Sequence, residues 1–336
     1  MKRAALGLVL IAPALFTVTV SASKVAHAAP SSVMAWTTPK TLPESTGSGP
    51  ALAVYNGDLY MAWSGPGSPH HIWYASFNGS TWSAKTELSA VTGTSASPAL
   101  AAYNGDLYLA WAGAGSPHHI WYSAFNGTTW TAQKELSHVT QVYLSPGLGA
   151  FDGKLYLAWI GTASAANVEV ASFNGTAWSS NISVASGASE APTNEGGGPA
   201  LAAYGNALYV AWLSAYGPQC ATPFCLEYVT YNGTAWTAPG YVAGQAVDYD
   251  NEGGTALAVD GSLLYAAWYS EYDATVDYTS FNGTKWSATV NIPNSVSPTC
   301  ESPALATYDG SLYATWQGGQ QVECAVSGPI ISATGP

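Results

Sequence analysis

The 336-residue sequence predicts an all-β fold: a six-bladed β-propeller with four strands per blade, its ring closed by the N-terminal strand. Three observations predict this fold. A tryptophan motif recurs six times, turn sequences stand at fixed places between its copies, and two incomplete units at the chain ends complete each other. The composition agrees, because 8% charged residues, 12% aromatic residues and 35 glycines suit one large β domain with many tight turns.

The second strand of each predicted blade carries an LYxAW-like motif. The motif ends in a tryptophan at Trp63, Trp111, Trp159, Trp212, Trp268 and Trp316. The intervals between these tryptophans are 48, 48, 53, 56 and 48 residues, which is the length of four short strands with their turns. In the first unit PALAVY is the first strand, DLYMAW the second, HIWYASF the third and TWSAKTEL the fourth, each with alternating side chains.

Turn sequences separate these strands at two places. Between the first and second strands, Asn-Gly or Asp-Gly pairs begin at residues 56, 104, 152, 260 and 309. Between the third and fourth strands, Asn-Gly pairs begin at residues 78, 126, 174, 232 and 282. Such pairs adopt the positive φ angles that tight hairpins require. Both sets of turns therefore predict antiparallel hairpins within each unit.

The two chain ends are predicted to share the sixth blade. The sixth unit has no fourth-strand tryptophan, whereas the segment AWTTPKTL around Trp36 is an isolated copy of that strand. We predict that it pairs with the third strand of the last blade near Val322 to Val326. Closure in this way would cover an otherwise open sheet edge.

The N-terminus predicts export. Lys2-Arg3, an apolar run and the small-residue stretch around Ala28 are typical of a secretory signal peptide spanning residues 1–28. Residues 29–336 would then be the mature, secreted propeller domain. In an oxidising compartment four cysteines predict two disulfide bonds. We predict the pairs Cys220 with Cys225, within one loop, and Cys300 with Cys324, within the last blade.

The charge of the mature chain argues against two classes of partner. Removal of the signal peptide leaves five lysines, no arginine and all 20 acidic residues, a net charge of about −15. Nucleic acids and anionic membranes are bound largely through Lys and Arg. No later segment approaches the roughly 20 apolar residues of a membrane-spanning helix. We therefore expect neither nucleic-acid binding nor membrane insertion.

One position of the third strand changes its chemistry along the chain. It follows the first core aliphatic residue of that strand and reads Trp73, Trp121, Glu169, Glu227, Asp277 and, by alignment of the units, Glu323. An unpaired buried carboxylate costs several kcal/mol, roughly. We therefore predict that this position is exposed or half-exposed.

The repeated sequence HHIWY, at 70–74 and 118–122, is the candidate carbohydrate site. Trp73 and Trp121 would stack on the C–H faces of sugars, with hydrogen bonds from His70, His71, His118 and His119. Two other interpretations stay open. Blades 1 and 2 could be recent duplicates whose tryptophans pack between blades, or the histidines could bind a metal. Adjacent histidines of an extended chain point to opposite sides, so we expect no metal there.

Acidic loops raise a second possible function. Between the fourth strand of one blade and the first of the next lie the candidate carboxylates Glu195, Asp250, Glu252 and Glu301. A glycosidase needs two carboxylates roughly 5 to 10 Å apart, and calcium needs about six to eight oxygen ligands. The spacing signals neither, so an acidic solvated rim, a calcium site and a catalytic pair all remain possible. No nucleophile elbow or zinc-binding motif occurs, and we expect binding rather than catalysis.

Two family resemblances add to these inferences. The turns SFNGTAW and SFNGTKW resemble shortened Asp-box turns of sialidases, which are six-bladed propellers. Sialidases bind the substrate carboxylate with three arginines, however, and the mature chain has none. The whole repeat, over residues 36–336, is similar to bacterial propeller lectins of the Photorhabdus lectin type, whose best-known members have seven blades. That resemblance implies a secreted lectin with glycans as partners and sugars bound between blades.

The Aleuria type of six-bladed fucose lectin uses an Arg, Glu and Trp set that the mature chain cannot supply, because it has no arginine. The alternatives to a lectin are a secreted glycan-processing enzyme that uses the loop carboxylates and a protein-interaction scaffold.

Overall fold

The computed structural model describes most of the chain from residue 36 onward. The described residues are 36–67, 70–89, 91, 93–94, 96–115, 118–137, 139, 142, 145–161, 166–186, 197–215, 224–242, 254–270, 274–295, 301–318 and 328–335. The predicted signal peptide lies outside them, so its boundary at residue 28 stays a prediction. Within the described ranges no helix is long and apolar enough to cross a bilayer.

The described strands form six antiparallel sheets of four, which confirms the predicted six-bladed propeller. Blade 1 comprises β2 (Ala51–Tyr55), β3 (Asp58–Ser64), β4 (Ile72–Phe77) and β5 (Thr86–Glu87). Blade 2 comprises β6 (Ala99–Tyr103), β7 (Asp106–Ala112), β8 (Ile120–Phe125) and β9 (Lys134–Glu135). Blade 3 comprises β10 (Gly147–Phe151), β11 (Lys154–Ile160), β12 (Val168–Phe173) and β13 (Ile182–Ala185).

The remaining strands complete the ring. Blade 4 comprises β14 (Ala200–Tyr204), β15 (Ala207–Ala215), β16 (Phe224–Tyr231) and β17 (Gly240–Tyr241). Blade 5 comprises β18 (Thr255–Asp260), β19 (Leu263–Ser270), β20 (Thr275–Phe281) and β21 (Val290–Asn291). Blade 6 comprises β22 (Ala304–Tyr308), β23 (Ser311–Gln317), β24 (Gly328–Thr334) and β1 (Lys40–Thr46). The first strands of successive blades contact one another, and β22 contacts β2.

Each blade packs one sheet face on the blade before it. In blade 1 that face carries Leu59, Met61 and Trp63, which alternate along β3 and cluster with Ala304 and Ile330 of blade 6. The tryptophan that ends the motif is at most 2% exposed in all six blades. Burial of so large an aromatic side chain dominates the packing at each interface, which explains why the motif recurs.

A second aromatic cluster joins successive blades at the end of the sheets where the hairpin turns lie. Between blades 1 and 2, Tyr60 lies 6.0 Å from Phe125 and Tyr74 lies 5.6 Å from Trp130, measured between ring centroids. Phe125 and Trp130 stack at 5.1 Å. Tyr55 also donates a hydrogen bond from its hydroxyl to the Gly105 carbonyl oxygen, at 3.0 Å. These contacts explain the fixed positions of tyrosine and of the tryptophan after each Asn-Gly pair.

The N-terminal strand closes the ring as predicted. β1 pairs antiparallel with β24, and Lys40 lies opposite Ser332. Trp36 precedes β1 and contacts Tyr278 of blade 5 edge-on at 5.5 Å, in the same way as Trp130 contacts Tyr74. Trp36 therefore takes the place of the missing fourth-strand tryptophan.

The predicted register of this closure is wrong. The third strand of blade 6 begins at Gly328, not near Val322, and residues 322–326 lie outside the described residues. The core aliphatic residue of this strand is Ile330, which is fully buried. Ile331 lies opposite Trp316, so it occupies the position that alignment assigned to Glu323. The connection before β24 is longer than in blades 1 and 2, and alignment by their spacing placed the strand too early.

Of the four cysteines in the predicted disulfide bonds, the structure describes Cys225. Cys225 is 2% exposed in β16 and is disulfide-bonded. Its possible partners Cys220, Cys300 and Cys324 lie outside the described residues. Both predicted pairs therefore stay predictions.

Candidate functional site

The candidate site lies in the grooves between neighbouring blades. Residues that lie directly opposite each other on adjacent strands point to the same sheet face. In blade 1 Trp63, Trp73 and Glu87 are such a set, and they face blade 6. Each blade has a space between its own third and fourth strands and the fourth strand of the preceding blade. We call this space the outer groove of that blade.

Trp73 is half-buried in the outer groove of blade 1. A Cβ atom on Gly65 would lie 2.7 Å from Trp73 Nε1, so a glycine is required where the indole meets the backbone. Lys85 Nζ lies 5.2 Å from the centroid of the Trp73 ring and 2.6 Å from Glu44 Oε2. A lysine held by an ion pair to β1 therefore covers the Trp73 ring.

Trp121 lies in the same way in the outer groove of blade 2. A Cβ atom on Gly113 would lie 2.7 Å from Trp121 Nε1. Gln133 stands where blade 1 has Lys85, three residues after the fourth-strand tryptophan. Val91 packs in this groove. Within the described part of the chain no cation lies over the Trp121 ring, so the two predicted sites differ in the residues that surround the aromatic ring.

In each histidine pair the first side chain contacts the loop backbone and the second contacts a glutamate of the fourth strand. His70 Nδ1 is 2.9 Å from the Gly65 carbonyl oxygen, and His118 Nδ1 is 2.9 Å from that of Gly113. Because a carbonyl oxygen can only accept, Nδ1 carries the proton in both. His71 Nδ1 lies 2.6 Å from Glu87 Oε1, and His119 Nδ1 lies 2.9 Å from its counterpart Glu135.

Each histidine pair is thus fixed at the loop that precedes its tryptophan, and its role in sugar binding stays a prediction. The first histidine of each pair holds the loop, and the second lies at the groove rim. His71 is the most accessible, with 58% of its side chain exposed. Among the described residues no three His, Cys, Asp or Glu side chains gather as metal ligands.

The acids at the aligned position are half-buried in blades 3 and 5, as predicted. Glu169 accepts a hydrogen bond from Asn181 Nδ2 at 2.8 Å. Asp277 accepts one from Thr275 Oγ1 at 2.9 Å. Glu227 in blade 4 is the exception, because it is 6% exposed.

Glu227 lies in a cleft of about 560 Å³ between blades 3 and 4. Besides Glu227, the cleft is lined by Val184, Ala185, Ser186, Ala238, Pro239, Gly240 and Tyr241. Tyr241 lies opposite Glu227 on the neighbouring strand and is 40% exposed. The cleft therefore has an exposed aromatic ring beside a buried carboxyl group.

Two residue changes accompany this cleft. Blade 4 has Ser214 where blades 1 and 2 have Gly65 and Gly113, and its side chain hydrogen-bonds to Glu227. Burial raises the pKa of the Glu227 carboxyl above its usual value, and the hydrogen bond with Ser214 opposes that rise. Replacement of tryptophan by the smaller Glu227 leaves the groove partly empty. The sequence placed Glu227 at the aligned position, predicted it to be exposed or half-exposed, and did not predict a site there. It missed Tyr241, although the alignment of Tyr241 with Glu87 and Glu135 in the fourth strand was available as a signal.

Of the four predicted loop carboxylates, the structure describes Glu301. Glu301 lies beside the central channel, where Oε2 accepts hydrogen bonds from the Gly49 amide at 3.0 Å and from Ser97 Oγ at 3.4 Å. Glu195, Asp250 and Glu252 lie outside the described residues. A catalytic pair or a calcium site made by these acids stays a hypothesis.

No known sequence family matches the chain, and no curated protein is similar to it in sequence. Several solved structures share its fold. The Hadza microbial sialidase Hz136 has a TM-score of 0.62 at 12% identity, over 86% of this chain and 65% of that protein. AofleA from Arthrobotrys oligospora has a TM-score of 0.59 at 14% identity, over 85% and 84% of the two chains.

A third similar structure is the Aleuria aurantia lectin in complex with Fucα1-6GlcNAc. Its TM-score is 0.59 at 12% identity, over 84% of this chain and 91% of the lectin. The chain thus spans about two thirds of the sialidase and most of each of the other two. These similarities agree with the β-propeller architecture of the chain. At such identities they show the fold alone, and a specific relation to the Photorhabdus type stays a prediction.

Proposed function

We propose that this protein is a carbohydrate-binding propeller that holds sugars in its outer grooves. One observation carries the proposal. The same sheet position presents half-buried Trp73 and Trp121 in two blades and, in a third, opens a cleft with exposed Tyr241 beside Glu227. Sugars suit such sites, because their C–H faces pack on aromatic rings and their hydroxyls bond to carboxylate and imidazole groups.

The three grooves are not equal in this proposal. Lys85 lies over the Trp73 ring and would compete with a sugar for it, so we expect the Trp121 ring of blade 2 to bind sugars more tightly. The cleft of blade 4 lies within the roughly 300–1,000 Å³ common for small-ligand sites. We propose blades 2 and 4 as the stronger sites and blade 1 as the weaker one. We also propose that the protein is secreted, on the basis of its leader-like first 28 residues and its cysteines.

A glycan array with residues 29–336 tests the function, followed by calorimetric titration of the best glycan. Trp121→Ala or Tyr241→Ala should each weaken binding at its own site by about ten-fold or more, equivalent to roughly 1.4 kcal/mol. Trp73→Ala should weaken it less. Lys85→Gln, which gives blade 1 the residue of blade 2, should raise binding at Trp73.

Far-UV circular dichroism and thermal melts of all four variants provide the folding control. If no glycan is retained, or if all four variants bind like the wild type, the proposal is wrong. If the tryptophan variants unfold instead, Trp73 and Trp121 serve as packing between blades. Turnover of a bound glycan would favour the enzyme hypothesis, and protein partners without any glycan binding would favour the scaffold.

A further inference from the structure

The cleft between blades 3 and 4 contains a buried negative charge without a described positive partner. Glu227 is 6% exposed, and among the described residues its hydrogen-bond partner is Ser214. None of the ion pairs between described residues includes Glu227. A carboxylate can accept about four hydrogen bonds, so this group has acceptor capacity left for a ligand that enters the cleft.

The described residues that line the cleft do not compensate this charge, because none of them is a Lys, Arg or His. Burial of an unpaired charge is costly. Burial accordingly raises the pKa of the Glu227 carboxyl. The ligand group that best complements this site is therefore a cation that also donates hydrogen bonds.

The walls of the cleft suit a ring with apolar faces. Tyr241 presents 40% of its surface, and Pro239 and Val184 add apolar walls. Glu227 lies directly across from Tyr241 on the neighbouring strand, so one ligand can touch both. An aromatic ring also attracts a cation placed over its face.

We propose that this cleft binds a sugar with a free amino group, with the ammonium at Glu227 and the sugar ring against Tyr241. The inference rests on the proposed function and names the class of sugar for this one groove. The grooves of blades 1 and 2, which have tryptophan instead of a buried acid, would not share the preference.

The test compares three trisaccharides on the mature chain by titration calorimetry. They are the β-1,4-linked trimers of glucosamine, N-acetylglucosamine and glucose, which differ in the group at carbon 2. We expect the glucosamine trimer to bind at least ten-fold more tightly than the other two at pH 7. Tyr241→Ala should weaken all binding in this cleft.

Glu227→Gln is the decisive variant, because it keeps the shape and removes the charge. It should reduce the preference for glucosamine to within about two-fold and leave the binding of the neutral trimers unchanged. Glu169→Gln in blade 3, where the aligned acid already has Asn181 as a partner, is the matched control and should keep the full preference. Thermal melts check that each variant is folded.

Three other kinds of result would contradict the inference. Equal binding of the three trimers, or an unchanged preference in Glu227→Gln, overturns the inference while the proposed function stands. If n-butylamine competes as well as the glucosamine trimer, the cleft recognises an amine alone and the sugar assignment is wrong. If no trimer binds and the glycan array is also empty, both the inference and the proposed function are wrong.

Discussion

At the scale of single residues, the shape of each groove depends on the residue that stands two positions after the motif tryptophan. In blades 1 and 2 glycine lets the indole approach, and in blade 4 Ser214 replaces the glycine and binds a carboxylate instead. In blade 4 a serine and a carboxylate stand where blades 1 and 2 have glycine and tryptophan, and the cleft lies beside them. Blade 5 has the same combination in Ser270 and Asp277, and the cleft of blade 4 is further lined by Val184 and Tyr241.

Gly113→Ala tests the close approach of Trp121. The added methyl group would lie 2.7 Å from Trp121 Nε1, so the indole must move outward, and such overpacking costs about 1–3 kcal/mol. Urea unfolding should show this loss, together with a change in tryptophan fluorescence. Gly161→Ala is the matched control, because at the same position of blade 3 the nearest atom is Glu169 Cγ at 3.5 Å. Equal losses in the two variants would contradict the prediction.

At the scale of strands, the sequence predicted well what local chemistry determines. The second strands, the hairpin turns and the closure by the N-terminal segment all follow from alternation, from Asn-Gly pairs and from Trp36. Asn56 and Gly57 do adopt positive φ angles of 50° and 86°. The third strand of blade 6 was misplaced because a long connection precedes it, and no turn sequence fixes its start.

The candidate site was predicted in part for the same physical reason. Alignment of repeats found the position of Trp73, Trp121 and Glu227, since that position recurs at a constant distance from a core aliphatic residue. The cleft itself could not be found in this way. It depends on Val184 of one blade and Tyr241 of the next, and on the space left between them, which is a property of packing between blades.

The closing strand offers a prediction at this scale. Deletion of residues 29–46 removes β1 and leaves β24 as an open edge, which favours association between chains. We expect a lower melting temperature and oligomers in analytical ultracentrifugation. Trp36→Ala removes the contact with Tyr278 but keeps the strand. It should lower the melting temperature less than the deletion does and leave the oligomeric state the same as that of the parent. A truncated chain as soluble and heat-resistant as the parent would show that the closure is not needed.

At the scale of the whole molecule, six similar interfaces give the ring its stability and leave the grooves free to differ. The tryptophan row and the tyrosine clusters recur from blade to blade, whereas the aligned groove position carries tryptophan, acid or isoleucine. Several weak sites on one rigid ring can gain apparent affinity for a multivalent surface, by roughly 100-fold or more. Such a gain needs no new contact, only sites that can be occupied together.

The repeated tyrosine clusters predict how the ring responds to alkali. Burial, followed by smaller effects of nearby ionisable groups, raises the pKa of Tyr156 and of Tyr265 to about 12. In the unfolded chain tyrosine titrates near pH 10, so between these values the folded chain keeps protons that the unfolded chain has released. The free energy of unfolding should therefore fall as the pH rises from about 10 to 12 and be unaffected by these groups below that range. Each pKa unit corresponds to at most about 1.4 kcal/mol, and access of solvent to the rings reduces the loss further.

Urea unfolding at pH 8, 10 and 11 measures the decline, and Tyr265→Phe, which cannot ionise, should make it shallower. A parallel decline in the wild type and the variant would mean that Tyr265 does not contribute to it.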